Sequence, residues 1–535
     1  MKTHLMFEDE DLALDVVFDW RTGFTVTGPG LPPSTEELVQ DLELLTLLRA
    51  MARGDSLLFE ISKRALISSL TDTRAITYRQ EVLADCLSHP EMFREMYALA
   101  MEAITAERKI WQPFGGHPTD VLHRAVQVLE LFVVLLKRLR RIADDNAVTV
   151  GSKAMTTLFA MLAAELDDEY FRTIDDHLKR LKFRGGTLIS AALGKGNKGV
   201  RYVLRAPNNA RRSWKERVRI GPRTSYYFQL HPRDEAGARM LSTLNDRGLN
   251  LVANALAQST DHILSFFTLL CTELGFYVSC LNLHELLLQE GEPMCTPVPL
   301  GSDALALSFK GIYDVCLALR SKTRVVGNEA NADGKSLVMI TGANSGGKST
   351  LLRSIGLAQL MMQSGMFVAA KAFRANVGEG LFTHFIREED DSMMRGKLDE
   401  ELARMSMIAD RIAPHSVVLF NESFAATNER EGSEIGHQIV SALLEAGVKV
   451  LFVTHQFTLA DAFHTHRFDT TLFLRAERAV DGRPSFKLIE AAPLPTSFGE
   501  DIYQRIGGFE PAEASTGLVD GLKTADLGIG DKAGR

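Results

Sequence analysis

Apolar residues recur at spacings of three and four through most of the first 180 positions. In STEELVQDLELLTLLRAMARG, from Ser34 to Gly54, Leu42, Leu45, Leu48 and Met51 fall on one helical face. Ser34 followed by Glu37 reads as a capping-box start. The runs TDVLHRAVQVLELFVVLLKRLRRIADD and GSKAMTTLFAMLAAELDDEYFRTIDDHLKRLKF keep the same period, so several long helices are predicted between about Glu36 and Arg180. From 184 to 232 glycines and prolines interrupt alternating runs such as VRYVLRA and TSYYFQL, the pattern of short antiparallel strands. The helical period returns at Asp234 and lasts to about Gln289. From about Gly327, the apolar runs KSLVMIT, GLFTHFI, SVVLF and KVLFVT alternate with helical stretches, which predicts an α/β unit with a largely parallel sheet. The expected organisation is a partly helical N-terminal segment over 1–75, a mostly α-helical region over 76–325 with a small β-rich insert at about 184–232, and an α/β domain over 326–510. The tail, 511–535, has few large apolar residues and reads as disordered.

Composition adds little to this outline. A chain of 535 residues, 45% hydrophobic and 24% charged, is ordinary for a globular protein of several domains. Its five cysteines, Cys86, Cys271, Cys280, Cys295 and Cys316, form no C-x-x-C pair, as expected of reduced thiols in a cytoplasmic protein. The opening MKTHLMFEDEDLALD is acidic and has no apolar signal core. The apolar run VLELFVVLL stops at Lys137, short of the ~18 residues a membrane span needs. The expectation is a cytoplasmic protein that does not span a membrane.

One stretch carries chemistry on its own. In VMITGANSGGKSTLLRSIG, from Val338 to Gly356, an apolar strand leads into G-x-x-x-x-G-K-S and then into a helical run. This is the phosphate-binding P-loop pattern. Gly342, Ala343, Asn344, Ser345, Gly346 and Gly347 are expected to curl so that backbone N–H groups face phosphate oxygens. Lys348 can reach the β- and γ-phosphates of ATP, Ser349 can place its hydroxyl on Mg²⁺, and Thr350 completes the run at the helix N-terminus. Such a site needs a second strand ending in polar groups, and SVVLFNESF supplies Asn421 as a metal-side residue and Glu422 as a base. A third apolar run, KVLFVTHQF, ends in His455, placed to contact the γ-phosphate. Lys348, Glu422 and His455 are the catalytic candidates.

These residues resemble the ATPase domain of the MutS family of DNA mismatch repair proteins. The family's T-G-P-N-M-G-G-K-S-T is matched by TGANSGGKST, its D-E and G-T-S-T loop by NESFAATNEREG, and its T-H-Y-F by THQF. Its S-Y-G element lies over SFG, Ser497 to Gly499, and its P-N-D element over VVGNEA, with Asn328 in register. Upstream, YRQEVLADCLSHPEMFREM resembles the opening of the family's helical core and lever region. The resemblance implies an ABC-class P-loop ATPase that works as a homodimer, with nucleotide sandwiched between subunits and contacted by Asn328. It also implies DNA gripped by helical levers. Three departures stand out. Asn421 replaces the family's Asp. Leu398 stands where the family has a serine for the partner's γ-phosphate, with Lys397 beside it. No F-x-E element occurs in the first 75 residues, so the resemblance is to a short form lacking the mismatch-recognition domain.

Charge changes the picture of the insert. Between Lys179 and Arg223 lie fourteen basic residues and one acid, Glu216, in a chain whose net charge is −8. Lys195, Lys198, Arg201, Arg205, Arg211, Arg212, Lys215, Arg217 and Arg219 are the candidate DNA contacts, interleaved with Tyr202 and Trp214 and followed by Tyr226 and Tyr227. Such a segment suits backbone contacts to double-stranded DNA. The family's DNA clamp sits at the same place in the order of elements. The leading expectation is an ATP-switched dimeric DNA clamp of DNA repair or recombination. The alternative is an ATP-binding scaffold with little hydrolysis and a protein partner for the basic surface.

Overall fold

The computed structural model describes residues 1–10, 15–19, 23–28, 30–32, 34–110, 117–183, 186–205, 227, 229–321, 324–343, 346–387, 396–465, 469–478 and 484–494. The SFG element and the 511–535 tail lie outside these.

An antiparallel pair, β1 (Asp15–Asp19) and β2 (Gly23–Thr27), precedes the first helices. These are α1 (Thr35–Asp41), α2 (Leu44–Ala52), α3 (Ser56–Ile67), α4 (Thr73–Ser88), α5 (Pro90–Lys109), α6 (Pro118–Asn146), α7 (Lys153–Glu165) and α8 (Asp168–Leu181). Ser34 occupies the N-cap of α1 but makes no side-chain cap bond, so the capping-box reading fails there. Its backbone, at φ −82° and ψ 10°, is not in the extended conformation an N-cap side chain needs. Working caps are supplied by Asp55, Asp72, Ser152 and Asp167 on α3, α4, α7 and α8.

The β-rich insert begins with β3 (Leu188–Leu193) and β4 (Gly199–Arg205), an antiparallel hairpin. The chain then enters α9 (Glu235–Gln289), 55 residues or about 83 Å long. Gly248 lets the hairpin lie close on α9, because a Cβ there would stand 2.5 Å from Ile189 Cδ1. From Leu270 to Leu283 every residue of α9 is buried. By length and composition it could cross a membrane, yet 78% of its most apolar window is buried within the protein. Phe267, Leu270, Leu274 and Tyr277 pack there with Phe93 of α5 and Phe132 of α6.

The remaining elements are β5 (Val298–Leu300), β6 (Leu307–Ile312), α10 (Val315–Arg320), β7 (Asn328–Asn331), β8 (Leu337–Thr341), α11 (Lys348–Gln363), β9 (Ala372–Asn376), β10 (Leu381–Phe385), α12 (Lys397–Ala409), β11 (Val417–Asn421), α13 (Glu429–Glu445), β12 (Lys449–Val453), α14 (Phe457–Thr465), β13 (Thr471–Arg478) and β14 (Pro484–Glu490). The main sheet has the order β10-β11-β12-β8-β13-β14, parallel throughout except for β14. A smaller sheet, β5-β9-β6-β7, carries strand pairing upstream to Val298, before the texture change near Gly327. The central strands are buried on both faces, so they read as unbroken apolar runs. Val338, Ile340, Leu419, Leu451 and Val453 face one core, and Leu337, Met339, Val418, Phe420, Val450 and Phe452 face the other.

Polar ties fasten α11 to the helical region. Arg353 bridges Glu43, at the start of α2, and the fully buried Asp314 at the N-cap of α10. Arg320 also reaches Glu43. Removing one partner of a buried ion pair leaves the other charge desolvated and unmatched. Arg353→Ala is therefore expected to cost about 3 kcal/mol, read as a lower urea midpoint, and Arg353→Lys to recover part of it.

Candidate functional site

The loop between β8 and α11 holds its shape through glycine. Gly342 and Gly347 lie at φ +114° and +89°, where a side chain is strained. Gly347 is the N-cap of α11, and its carbonyl accepts from Leu351 N–H at 2.9 Å. Asn344 and Ser345 lie outside the described residues. Lys348 is only 3% exposed, and its Nζ donates to the carbonyls of Gly342 at 2.8 Å and Ala343 at 3.0 Å. Burial lowers its pKa, and Glu422 opposes that shift.

Three strand ends converge on this loop. Ser349 Oγ donates to Asn421 Oδ1, at the end of β11, at 2.7 Å. Glu422 follows Asn421, and its N–H donates to the Val453 carbonyl at the end of β12 at 2.9 Å. His455, two residues past β12, stands with Nδ1 3.9 Å from Glu422 Oε1, within ion-pair reach when the imidazole is protonated. The polar contact with His455 holds the Glu422 carboxyl below its ordinary pKa, against burial and with help from Lys348. The same contact raises His455. Glu422 itself sits at φ +54°, a left-handed conformation rare outside glycine. The predicted Lys348, Ser349, Asn421, Glu422 and His455 are thus brought together.

Asn328, read from the sequence as a nucleotide-flanking residue, has its amide held by β14. Its Nδ2 donates to the Phe486 carbonyl at 3.1 Å and its Oδ1 accepts from Leu488 N–H at 2.8 Å. Both polar atoms are engaged by β14 because β7 lies beside that edge strand. Asn328 helps to wall a cavity of about 420 Å³ with Val326, Gly347, Thr350 and Phe486. The sequence held no signal for Phe486. It lies on β14, nearly 160 residues from Asn328.

The oxygen donors Ser349 and Asn421, beside a buried ammonium and a cavity next to Gly347, suit a magnesium–nucleotide complex. Lys397 and Leu398 open α12.

Lys195, Lys198, Arg201 and Arg205 are exposed on the β3–β4 hairpin and its turn. Arg211, Arg212, Lys215, Arg217 and Arg219 lie outside the described residues. On α8, Arg180 pairs with Asp176, and Lys182 beyond its end pairs with Glu130, so acids offset these two cations. The hairpin does not meet the nucleotide-side cluster. It lies on α9 at Gly248, about 42 Å along that helix from Phe276, whose ring faces Arg79 at 5.9 Å.

Two families match the chain. The one described as MutS2 N-terminal domain covers residues 71–290, and the one described as MutS domain V covers residues 338–512. The chain is 31% identical over 186 residues to the DNA mismatch repair protein MutS of Porphyromonas gingivalis, a match covering 33% of this chain and 20% of that protein. It is 34% identical over 119 residues to Endonuclease MutS2 of Thermus thermophilus, over 22% of this chain and 16% of the relative. It is 36% identical over 129 residues to MutS of Thermotoga neapolitana, over 24% and 16%. The chain spans about a fifth or less of the length of these relatives.

The Glu422–His455 pair sets a pH window. The depressed Glu422 contributes stability that is present above its ordinary value of 4.5 and lost as pH falls through its folded pKa. The raised His455 contributes stability that is present below 6.5 and lost as pH rises through its folded pKa. The pair therefore contributes in full between 4.5 and 6.5. Imidazole NMR titration should place the His455 pKa above 6.5, and Glu422→Gln should bring it down.

Proposed function

Since this chain belongs to the MutS family, we propose that it is an ATP-hydrolysing, DNA-binding protein of DNA repair or recombination. In this reading nucleotide switches a homodimeric grip on double-stranded DNA in the cytoplasm. The observation that carries the proposal is the convergence of Lys348, Ser349, Asn421, Glu422 and His455 at the ends of parallel strands. Ligands bind at that edge in open α/β sheets.

The roles follow from the positions. The backbone from Gly342 to Gly347 cradles the phosphates, and Lys348 turns its ammonium from the loop carbonyls toward them. Ser349 and Asn421 would hold Mg²⁺, which supplies positive charge to the phosphate oxygens. Glu422, kept ionised by His455 and Lys348, orients the attacking water and accepts its proton. His455, whose protonated form Glu422 favours, donates to the γ-phosphate. The cavity beside Gly347 takes the base, with Phe486 as a stacking surface.

Within the proposal the helical region over 76–325 acts as the lever, and the basic insert as the clamp. Four exposed cations on the hairpin support phosphate-backbone contacts with little base reading. Coupling requires that ATP bind two lever arrangements with different affinity. A second reading, an ATP-binding scaffold with little hydrolysis, is favoured by the uncharged Asn421. Single-turnover hydrolysis separates the two, because only the first expects a large loss in Glu422→Gln.

Lys348→Ala should abolish nucleotide binding, and duplex DNA should change ATP turnover in the wild type. A turnover indifferent to every nucleic acid counts against the clamp. Replacing Lys195, Lys198, Arg201 and Arg205 together by Ala should weaken DNA binding and reduce the slope of log K against log[salt] by about 3 to 4. Asn421→Asp should lower the Mg²⁺ concentration needed for half-maximal hydrolysis, read from steady-state rates, because it restores a negative ligand.

A further inference from the structure

The turn that carries Glu422 is strained at two residues. Glu422 and Phe424 lie at φ +54° and +62°, and neither is glycine. Such a backbone persists only where its surroundings over-determine it. Phe424 N–H donates to Glu401 Oε2 at 2.6 Å, and the Phe424 carbonyl accepts from Gln456 Nε2 at 3.3 Å. Ser423 Oγ donates to the His384 carbonyl at 2.5 Å and lies 2.7 Å from His384 Nδ1. His384 Nε2 donates to the Glu401 carbonyl at 2.9 Å, and the His384 ring stacks on Phe424 with centroids 5.2 Å apart.

We propose that Glu401, acting with His384 and Ser423, is the positioning residue that aims the Glu422 carboxylate at Lys348 and His455. The case rests on geometry. Glu401 is 1% exposed and reaches from α12 into the turn, so its carboxylate is the fixed point against which the Phe424 amide is set. His384 is buried and ties the main chain of β10 to both α12 and the turn. Burial and the nearby Arg404 push its pKa down to about 4, so it serves as a neutral spacer. Without these bonds the two left-handed residues have a more favourable conformation to relax into, and Glu422 would leave His455. Because Glu401 sits near the start of α12, a shift of that helix reaches Glu422 through one hydrogen bond.

The inference rests on the assignment of Glu422 as the water-orienting carboxylate, so Glu422→Gln is the reference variant. Glu401→Ala should slow single-turnover ATP hydrolysis by about tenfold or more, a part of the ~10²–10⁴ that a general base supplies. Its nucleotide Kd should stay within about twofold of the wild type, since Glu401 bonds to the turn at Phe424 and to His384, not to Lys348 or Ser349. Glu401→Gln keeps an oxygen for the Phe424 N–H and should recover most of the rate. The NMR pKa of His455 should fall in Glu401→Ala toward its value in Glu422→Gln, and stay raised in Glu401→Gln. Should Glu401→Ala not fold, Ser423→Ala, which removes only the His384 tie, should lower the His455 pKa in the same direction. If Glu422→Gln is impaired while the folded Glu401 and Ser423 variants hydrolyse normally with His455 unshifted, the positioning role is overturned. If Glu422→Gln hydrolyses like the wild type, the assignment of Glu422 fails, and the His455 titration alone then decides whether Glu401 aims that carboxylate.

Discussion

The site depends on the register of three buried parallel strands. Asn421 on β11 lies opposite Val453 on β12, and Val453 lies opposite Ile340 on β8. Parallel strands end at one edge, so the loops that follow them share a small volume. Lys348 and Ser349 follow β8, Asn421 and Glu422 close β11, and His455 follows β12. Side chains alternate along each strand, so a slip of one residue would exchange the two cores and carry the polar ends away from one another. The packing of Val338, Leu419 and Leu451 on one face and Met339, Phe420 and Phe452 on the other therefore sets the site geometry.

The helix after the phosphate loop belongs to two worlds. Its first turn carries Lys348 and Ser349, and Arg353 next binds Glu43 and Asp314. Gln363 near its end donates to the Leu70 carbonyl at 2.9 Å, and the Ser364 carbonyl accepts from Arg79 at 3.3 Å. Arg79 also faces Phe276 of α9. These contacts run without a gap from Ser349 to the long helix that bears the basic hairpin. What turns a contiguous path into a switch is a difference in nucleotide affinity between two arrangements of it.

Several features could be read before any coordinates. The long helical period from Asp234 to Gln289 is α9, and the alternation in VRYVLRA is β4. The apolar runs ending at Thr341, Asn421 and Val453 are the buried strands that deliver the P-loop, Glu422 and His455. Other features had no local signal. Leu5 and Met6, in an opening that reads as acidic and polar, are buried, with Leu5 N–H donating to Glu273 and Tyr277 OH donating to the Leu5 carbonyl. That segment is short, irregular and without period, so its partners on α9 could not be inferred. The bonds of Asn328 to β14 were hidden for a similar reason, since they join a side chain on the edge strand of one sheet to the backbone of the edge strand of another, about 160 residues on.

By itself the sequence determined the chemistry that depends on neighbours along the chain. Positive φ at Gly342 and Gly347, the helix start at Lys348 and the unbroken apolar runs of the central strands are local consequences of residue type and spacing. Only the tertiary structure decided which distant side chains complete that chemistry. Phe486 walls the cavity, Glu43 receives Arg353, and Glu401 reaches the turn beyond Glu422. The physical reason is that a hydrogen bond or ion pair is satisfied by whatever group packing brings within about 3 Å. Packing is set by the burial of whole faces, which no short window of sequence contains.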